Sequence, residues 1–158
     1  MPAAETTFRP IGDSEQTMHG RTAVLISGFT AAQQDALHAT FPAWGLEHVP
    51  LIAIATGTLP LSLREASDQP DMANFGQTPE LPRAVIMSGL QERQLNSLMR
   101  GYREAGFERP LWASVTPTSE SWTVKYLLVE LLKEREAMRQ AMLAEKERQP
   151  TDQDPSPA

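Results

Sequence analysis

Two short apolar runs of nearly the same sequence organise the chain. They are AVLIS at 23–27 and AVIMS at 84–88, and each is followed at once by a glycine. Short continuous apolar runs that stop at a turn residue are typical of strands buried on both faces. The pattern therefore predicts two central strands, each ending in a Ser-Gly turn.

A helical pattern follows each strand. Thr30 and Gln33 have the spacing of a capping box at the start of the first helix. Gly45 and Gly106 stand just after the two helices, where a left-handed backbone is common. Each helix carries an apolar stripe at helical spacing, made by Leu37, Phe41 and Trp44 in the first half and by Leu95, Leu98, Met99, Tyr102 and Ala105 in the second.

The two halves of the chain align with each other. Ala23 falls on Ala84, and the same offset continues for about two dozen residues. After a deletion of one residue, Leu51 falls on Leu111 at the start of the next strand in each half. We interpret this similarity as a duplicated β-α-β-α unit.

The duplication predicts one α/β domain with a tail at each end. Residues 1–20 and 148–158 are polar and unpatterned, and we expect both segments to be disordered. The predicted folded domain is 21–147, with repeat one at 22–66, a joining loop at 67–82 and repeat two at 83–147.

Two such units in series predict a four-stranded, mainly parallel sheet of order 2-1-3-4 with helices on both faces. This order places the two apolar strands in the centre. A ferredoxin-like α+β sandwich is the alternative, although one face of its sheet would lack helices. In the parallel arrangement, the two Ser-Gly turns would lie side by side at the carboxyl ends of the central strands.

This edge of the sheet is the candidate ligand site. Open α/β sheets bind ligands where the direction of chain progression reverses, and nearby helix N-termini favour an anion. Local turn and capping geometry is the alternative explanation of the same residues. The candidate ligand-binding residues are Ser27, Gly28, Ser88, Gly89, Thr116 and Thr118.

The last predicted helix is long and changes character along its length. It begins near Ser121 or Thr123 with a leucine-rich stripe, and Met138 and Met142 extend this stripe among charged residues. Methionines on an amphipathic helix are suited to adaptable protein contacts. The candidate protein-interaction residues are Trp122, Met138 and Met142. The alternative is a packing anchor for Trp122 and a fraying helix end for the two methionines.

Composition excludes several classes of function. The 158 residues contain no cysteine, so disulfides and thiolate chemistry are excluded. A formal net charge of −6 argues against nucleic acid as the main partner. We find no nucleotide-binding loop, catalytic constellation or metal-ligand spacing, and therefore expect no cofactor, no metal and no enzymatic activity. Without an apolar stretch of membrane-spanning length, we expect a soluble, cytoplasmic protein.

The second half also resembles a known family. Its residues PLWASVTPTSESWTVKYLLVELLKE combine a strand ending in Thr-Pro-Thr with a Trp-Thr helix start and a Leu/Glu-rich helix. This pattern is similar to a bacterial domain of unknown function, number 3783, from about Arg83 to Glu134. Ser119 stands where family members often have Asn, and Gly57 replaces Pro117 in the first half. The resemblance supports the fold and implies no activity.

These observations predict a small non-enzymatic protein-interaction, assembly or regulatory factor. The alternative is a sensor domain that binds a small molecule or an anion through the paired Ser-Gly turns.

Overall fold

The computed structural model describes residues 17–148, so most of both predicted tails lies outside the described residues. The strands are β1 (Ala23–Ser27), β2 (Leu51–Ala53), β3 (Ala84–Ser88) and β4 (Leu111–Ser114). The α-helices of this part of the chain are α1 (Ala31–Thr40), α2 (Leu63–Ser67), α3 (Glu92–Glu104) and α4 (Val124–Arg148), and short 3₁₀ turns follow α1 and β2.

The predicted fold class and strand order are confirmed. The sheet has the order β2-β1-β3-β4, and two of its three strand pairs, β1 with β2 and β3 with β4, are parallel. The central pair, β1 with β3, is antiparallel. The predicted parallel alignment of the central strands is therefore wrong. An apolar run that is buried on both faces looks the same in sequence whichever way its neighbour points, so the pattern carried no information on direction.

The register of the central pair makes the two halves equivalent. Leu25 faces Ile86 in the middle of the pair, and Ser27 faces Ala84 just as Ala23 faces Ser88. The units that contain β1 and β3, which we call the first unit and the second unit, have the same order of strands and helices. An approximate twofold axis through the Leu25–Ile86 pair thus relates them.

The outer strands β2 and β4 are related by the same residue offset as the inner strands β1 and β3. Val24 pairs with Leu51 in the first unit, and the equivalent Val85 pairs with Trp112 in the second. Leu51 therefore has the structural position of Trp112 and not of Leu111. The deletion predicted at this point is wrong, because identical residues guided the alignment whereas the backbone register does not shift.

The loops that precede α2 and α4 meet across the same axis. The backbone N–H of Leu63 donates to Trp122 O, and that of Val124 donates to Leu61 O, both at 2.9 Å. The Thr-rich turns predicted as a binding edge thus lead into segments that pair with each other. This contact joins the two units on one side of the sheet.

Each face of the sheet carries a separate apolar layer. Val24 and Ile26 point towards α1 and α3, where Leu37, Leu98 and Tyr102 are buried. The alternate residues of β1 point to the other face, which is covered by α2 and α4. Both faces carry helices, as predicted, and a ferredoxin-like sandwich is excluded. The second layer contains Ala23, Leu25, Leu63, Leu127 and Leu128 among its buried residues.

The connection between the units, residues 68–83, covers the outer edge of β2. Met72 N donates to Leu51 O at 2.7 Å, and Ala53 N donates to Ala73 O at 3.0 Å. The carboxylate of Asp71 accepts from Leu51 N at 2.8 Å. The connection therefore acts as an irregular fifth strand that satisfies the backbone of an edge.

Candidate functional site

The first Ser-Gly turn is closed by the connection. The Ser27 hydroxyl donates to Pro82 O at 2.7 Å. Gly28 has a φ of +80°, and a Cβ at this position would lie 2.7 Å from the Cα atom of Arg83. The Arg83 guanidinium lies 4.2 Å from the centre of the Phe29 ring, which follows the turn. Backbone and side chains of the protein itself fill the space in which a ligand was expected.

The second Ser-Gly turn is covered in the same way by the segment before β1. Gly89 has a φ of +63°, and a Cβ there would lie 2.7 Å from the backbone of Arg21 and Thr22. Gly89 N donates to His19 O at 3.0 Å, and the Thr22 hydroxyl donates to Gly89 O at 3.1 Å. The backbone of Gly89 is therefore occupied and does not face an open pocket.

Ser88 differs from Ser27 in its surroundings. Its side chain is only 1% exposed, and its hydroxyl forms no hydrogen bond within residues 17–148. It lines a cavity of about 240 Å³ beside the carboxyl end of β3, which we call the charged pocket. The charged residues of this pocket are Arg21, Arg64, Asp68 and Glu120.

Ion pairs organise the charged pocket. Glu120 accepts hydrogen bonds from His19 Nε2 and from the Arg64 guanidinium, and Arg21 lies 3.2 Å from Asp68. The hydrogen bond with His19, followed by that with Arg64, lowers the pKa of Glu120 below its ordinary value. Glu120 is therefore a carboxylate at neutral pH. With guanidinium and carboxylate groups on one small cavity, the pocket matches ligands that carry both signs of charge.

Thr116 and Thr118 lie outside the charged pocket. Ser119 N donates to the Thr116 hydroxyl, and Thr116 N donates to the Ser119 hydroxyl, both at 3.0 Å. These reciprocal bonds close the turn after β4, and Ser119 is buried where the family pattern often has Asn. The hydroxyl of Thr116 is thus engaged within its own turn, and both threonines are exposed to solvent.

The predicted composite site does not exist as one pocket. Because β1 and β3 are antiparallel, Ser27 and Gly28 lie at one end of the central pair and Ser88 and Gly89 at the other. Among the six predicted ligand residues, Ser88 alone lines the charged pocket. The prediction that the two turns form a shared site is wrong. A ligand-binding role of the separate residues is untested and stays a prediction.

Sequence reasoning missed the groups that make the charged pocket polar. His19 precedes β1, Arg64 belongs to α2, and Glu120 follows β4. These three residues come from distant segments with no motif spacing between them. The pairing of the loops across the twofold axis brings them together, and that pairing was not visible in the sequence.

The end of α4 leaves the body of the molecule. Val124, Leu127 and Leu128 are buried against the sheet, whereas every residue from 133 to 148 is exposed. Met138 is 66% and Met142 68% exposed in this segment, which we call the overhang (residues 133–148). The predicted stripe thus continues on a helix surface that touches no other part of the described chain.

Trp122 occupies a different position from the two methionines. Its ring packs edge-on against Tyr126, with 4.8 Å between ring centres, at the border of the α2–α4 layer. Its carbonyl oxygen accepts the hydrogen bond of Leu63 across the axis. Trp122 therefore lies in the contact between the two units. A role of Trp122 in binding another protein stays a prediction.

The described residues also lack a metal-binding cluster and a membrane-spanning helix. Within residues 17–148, no three His, Asp or Glu side chains are grouped so that they could hold a metal ion. Over the same range, no helix is both long enough and apolar enough to span a membrane.

Comparison with known proteins identifies the second unit. Residues 83–138 match the family described as a domain of unknown function (DUF3783). The match covers about one third of the chain and shows similarity to this family over the second unit. The match confirms the resemblance predicted from the Thr-Pro-Thr and Trp-Thr elements. Neither the curated proteins nor the solved structures gave a match to the chain.

The DUF3783 segment coincides with structural boundaries. It begins at Arg83, directly before β3, and ends at Met138, inside the overhang. It therefore comprises the second unit and the buried part of α4. The first unit packs against this DUF3783 segment across the twofold axis, through β1 and through the loop before α2.

Proposed function

We propose that this protein is a non-enzymatic interaction factor that acts in assembly or regulation through protein contacts, in the cytoplasm. The observation that carries the proposal is the overhang, whose two methionines are about two-thirds exposed on a helix that is rich in charged residues. An isolated helix of this length is marginal in water, because tertiary packing normally supplies most helical stability. Contact with another protein would supply that packing.

The side chains of the overhang support a contact surface. Met138 and Met142 are one helical turn apart and lie on the same face, and their flexible thioethers adapt to irregular apolar partners. Ala137 and Ala144 lie on the opposite face, among charged residues. The methionine face thus offers the larger apolar contact surface, and Leu143, 43% exposed, lies outside it.

A comparison of bound proteins tests this proposal. The full chain is immobilised beside a chain that ends after Glu134, and the proteins retained by each are identified. We expect the truncated chain to lose specific partners. The variant Met138→Glu/Met142→Glu should lose the same partners, because each carboxylate would have to be buried at the interface.

A matched control uses the opposite face of the same helix. Ala137→Glu/Ala144→Glu adds the same charge to the same segment and should retain the partners. Identical partner lists for the full and truncated chains would refute docking through the overhang. Equal loss in both double variants would show that added charge, and not the methionine face, is responsible.

A second candidate function is binding of a small polar molecule in the charged pocket. The specific observation is that Ser88, which is only 1% exposed, lines this pocket together with Arg64 and Glu120. A ligand with an ammonium or hydroxyl group next to a carboxylate could pair with Glu120 and Arg64 and also reach Ser88. Such a site needs one Ser-Gly turn and does not involve Ser27.

Thermal stability in the presence of amino acids, hydroxycarboxylates and inorganic phosphate tests the second candidate. A true ligand present at 100 times its dissociation constant should add about 2.7 kcal/mol of stability. The shift should disappear in Arg64→Leu and persist in Arg139→Leu, which removes an exposed arginine of the overhang. No shift with any of these probes would refute this candidate.

A further inference from the structure

The overhang continues the buried stripe of α4 without a change of face. Leu128 and Leu131 face the sheet, and steps of alternately four and three residues lead from Leu131 to Arg135, Met138 and Met142, and then to Glu145. Such alternating steps are the a and d positions of a coiled coil. The same helix face that packs on the sheet is therefore available for a second helix further along.

We propose that the overhang pairs in antiparallel orientation with the overhang of a second copy of this chain. This inference rests on the proposed function, because it names the partner of the same helix face. In the pairing, Met138 of one copy packs against Met142 of the other, and the twofold symmetry repeats this contact. Arg135 of each copy then lies opposite Glu145 of the other copy.

Charge complementarity selects this partner and this orientation. Two apolar layers stand in the middle of the pairing and an Arg135–Glu145 pair stands at each end. On one flank, Glu134 of each copy faces Arg148 of the other. A parallel pairing in the same register would instead place Arg135 against Arg135 and Glu145 against Glu145. Complementary charges across helices set partner and orientation in coiled coils.

The contacts within each helix are compatible with the pairing. Glu145 is already engaged, among others by Arg148 on its own helix, and a carboxylate offers about four acceptor sites, so it can accept from Arg135 of the other copy in addition. On the other flank, Arg139 of one copy lies opposite Arg139 of the other, and the two positive charges repel each other. Glu136 lies 2.7 Å from Arg139 on the same helix, and its negative charge offsets this repulsion. Within residues 17–148, Arg135 forms no ion pair, so the pairing gives this arginine a partner.

The size of the contact predicts a weak dimer. The paired overhangs overlap over at most about 24 Å, at a rise of 1.5 Å per residue. Two short helices bury less surface than the standard interface of about 1,600 Å². We therefore expect a dissociation constant on the order of 10–100 µM.

Sedimentation equilibrium of the full chain over about 5–500 µM, together with charge exchange, tests the proposal. The natural chain should form dimers. Arg135→Glu places Glu against Glu145 in both end layers and should weaken the dimer at least tenfold, and Glu145→Arg should do the same with two arginines. The double variant Arg135→Glu/Glu145→Arg exchanges the pair and should restore the dimer.

Mixing makes the test sharper. Equal amounts of Arg135→Glu and Glu145→Arg chains, each mainly monomeric alone, should form a heterodimer because both end layers then pair opposite charges. Glu147→Lys serves as the matched control, since it reverses a charge on the face away from the stripe and should leave the dimer intact. A variant helix that simply unfolded would not regain dimerisation on mixing.

The outcomes separate this inference from the proposed function. A full chain that is monomeric at the highest concentration overturns the self-pairing, and the proposed function stands if the overhang still retains other proteins. Failure of the double variant to restore the dimer, or equal damage by Glu147→Lys, also overturns it. If removal of the overhang changes neither self-association nor the retained proteins, both ideas are refuted.

Discussion

The two Ser-Gly turns are equivalent in backbone and different in surroundings. Gly28 and Gly89 both have positive φ, and each packs against the segment that leads into the central strand of the other unit. Ser27 is hydrogen-bonded to Pro82 O, whereas the hydroxyl of Ser88 forms no hydrogen bond within residues 17–148 and lines the charged pocket. The similar sequences thus form equivalent backbone turns, and the residues around each turn decide which of them borders the charged pocket.

The difference arises from residues that occupy equivalent positions on the two sides of the axis. Arg64 N donates to Glu120 O, and the equivalent Lys125 N donates to Leu59 O. Glu120 of the charged pocket therefore has Leu59 as its counterpart at the other end. Leucine fills the first end with apolar surface, and glutamate leaves the second end polar. The two ends of the central strand pair therefore differ in polarity although their backbones are equivalent.

The largest expected effect tests what the turns share. Gly28→Ala and Gly89→Ala should each lower the free energy of unfolding by about 3 kcal/mol or more, because the added methyl meets backbone and the φ is unfavourable. Urea denaturation of each variant measures the loss. If one turn accepts alanine with little cost, that turn is not closed by the other unit.

Two other glycines provide the control. Gly45 and Gly106 also have positive φ, but a Cβ at either position would meet nothing within 4 Å. Alanine there should cost only about 1 kcal/mol, the conformational part of the effect. The excess at the Ser-Gly turns then reports the close approach of the two units.

A smaller effect distinguishes the turns. Ser27→Ala should cost about 1–2 kcal/mol, because Pro82 O would lose its hydrogen bond in a partly buried position. Ser88→Ala should change the stability by less than about 0.5 kcal/mol, since the hydroxyl that it removes forms no hydrogen bond within residues 17–148. Urea denaturation of both variants measures the difference. Equal losses would contradict the contrast between the two ends.

The smallest effect concerns the pH dependence of the charged pocket. The pKa of Glu120 is lowered in the folded state, mainly by its hydrogen bond with His19, from an ordinary value of 4.5. Its contribution to stability is therefore fully present above pH 4.5 and is lost as the pH falls through the lowered folded pKa. The natural chain should exceed Glu120→Gln in stability at pH 6, and the difference should shrink towards pH 3.

Chemical denaturation at a series of pH values measures this difference. A gap between the natural chain and Glu120→Gln that stays constant down to pH 3 would contradict the ion pairs. Arg64→Gln should reduce the gap at pH 6, because Arg64 is one of the two donors to Glu120.

Local features of the fold were predictable from the sequence because their causes are local. The capping box of Thr30 and Gln33 is present at the start of α1, and Thr123 accepts the hydrogen bond of Tyr126 N at the start of α4. Gly45 ends the turn after α1 in the left-handed conformation. Spacing within a few residues determines each of these features, so reading the chain was sufficient.

Features that depend on distant segments were not predictable in the same way. The direction of β3 relative to β1 is decided by how the units pack, and each strand is equally apolar in either direction. The charged pocket needs His19, Arg64 and Glu120 together, and only the finished fold brings them to one place. A candidate site assembled from sequence position alone therefore joined the wrong ends of the strands.

The covalent connection at residues 68–83 has a consequence for how the protein assembles. Two halves that bind each other as separate polypeptides come apart on dilution, whereas a short tether holds them at an effective concentration in the millimolar range. The contact between the two units of this chain should therefore not depend on the concentration of the protein in the cell. A single proteolytic cut in the connection would leave two separate polypeptides. Assembly of the two units would then be a bimolecular reaction that depends on concentration.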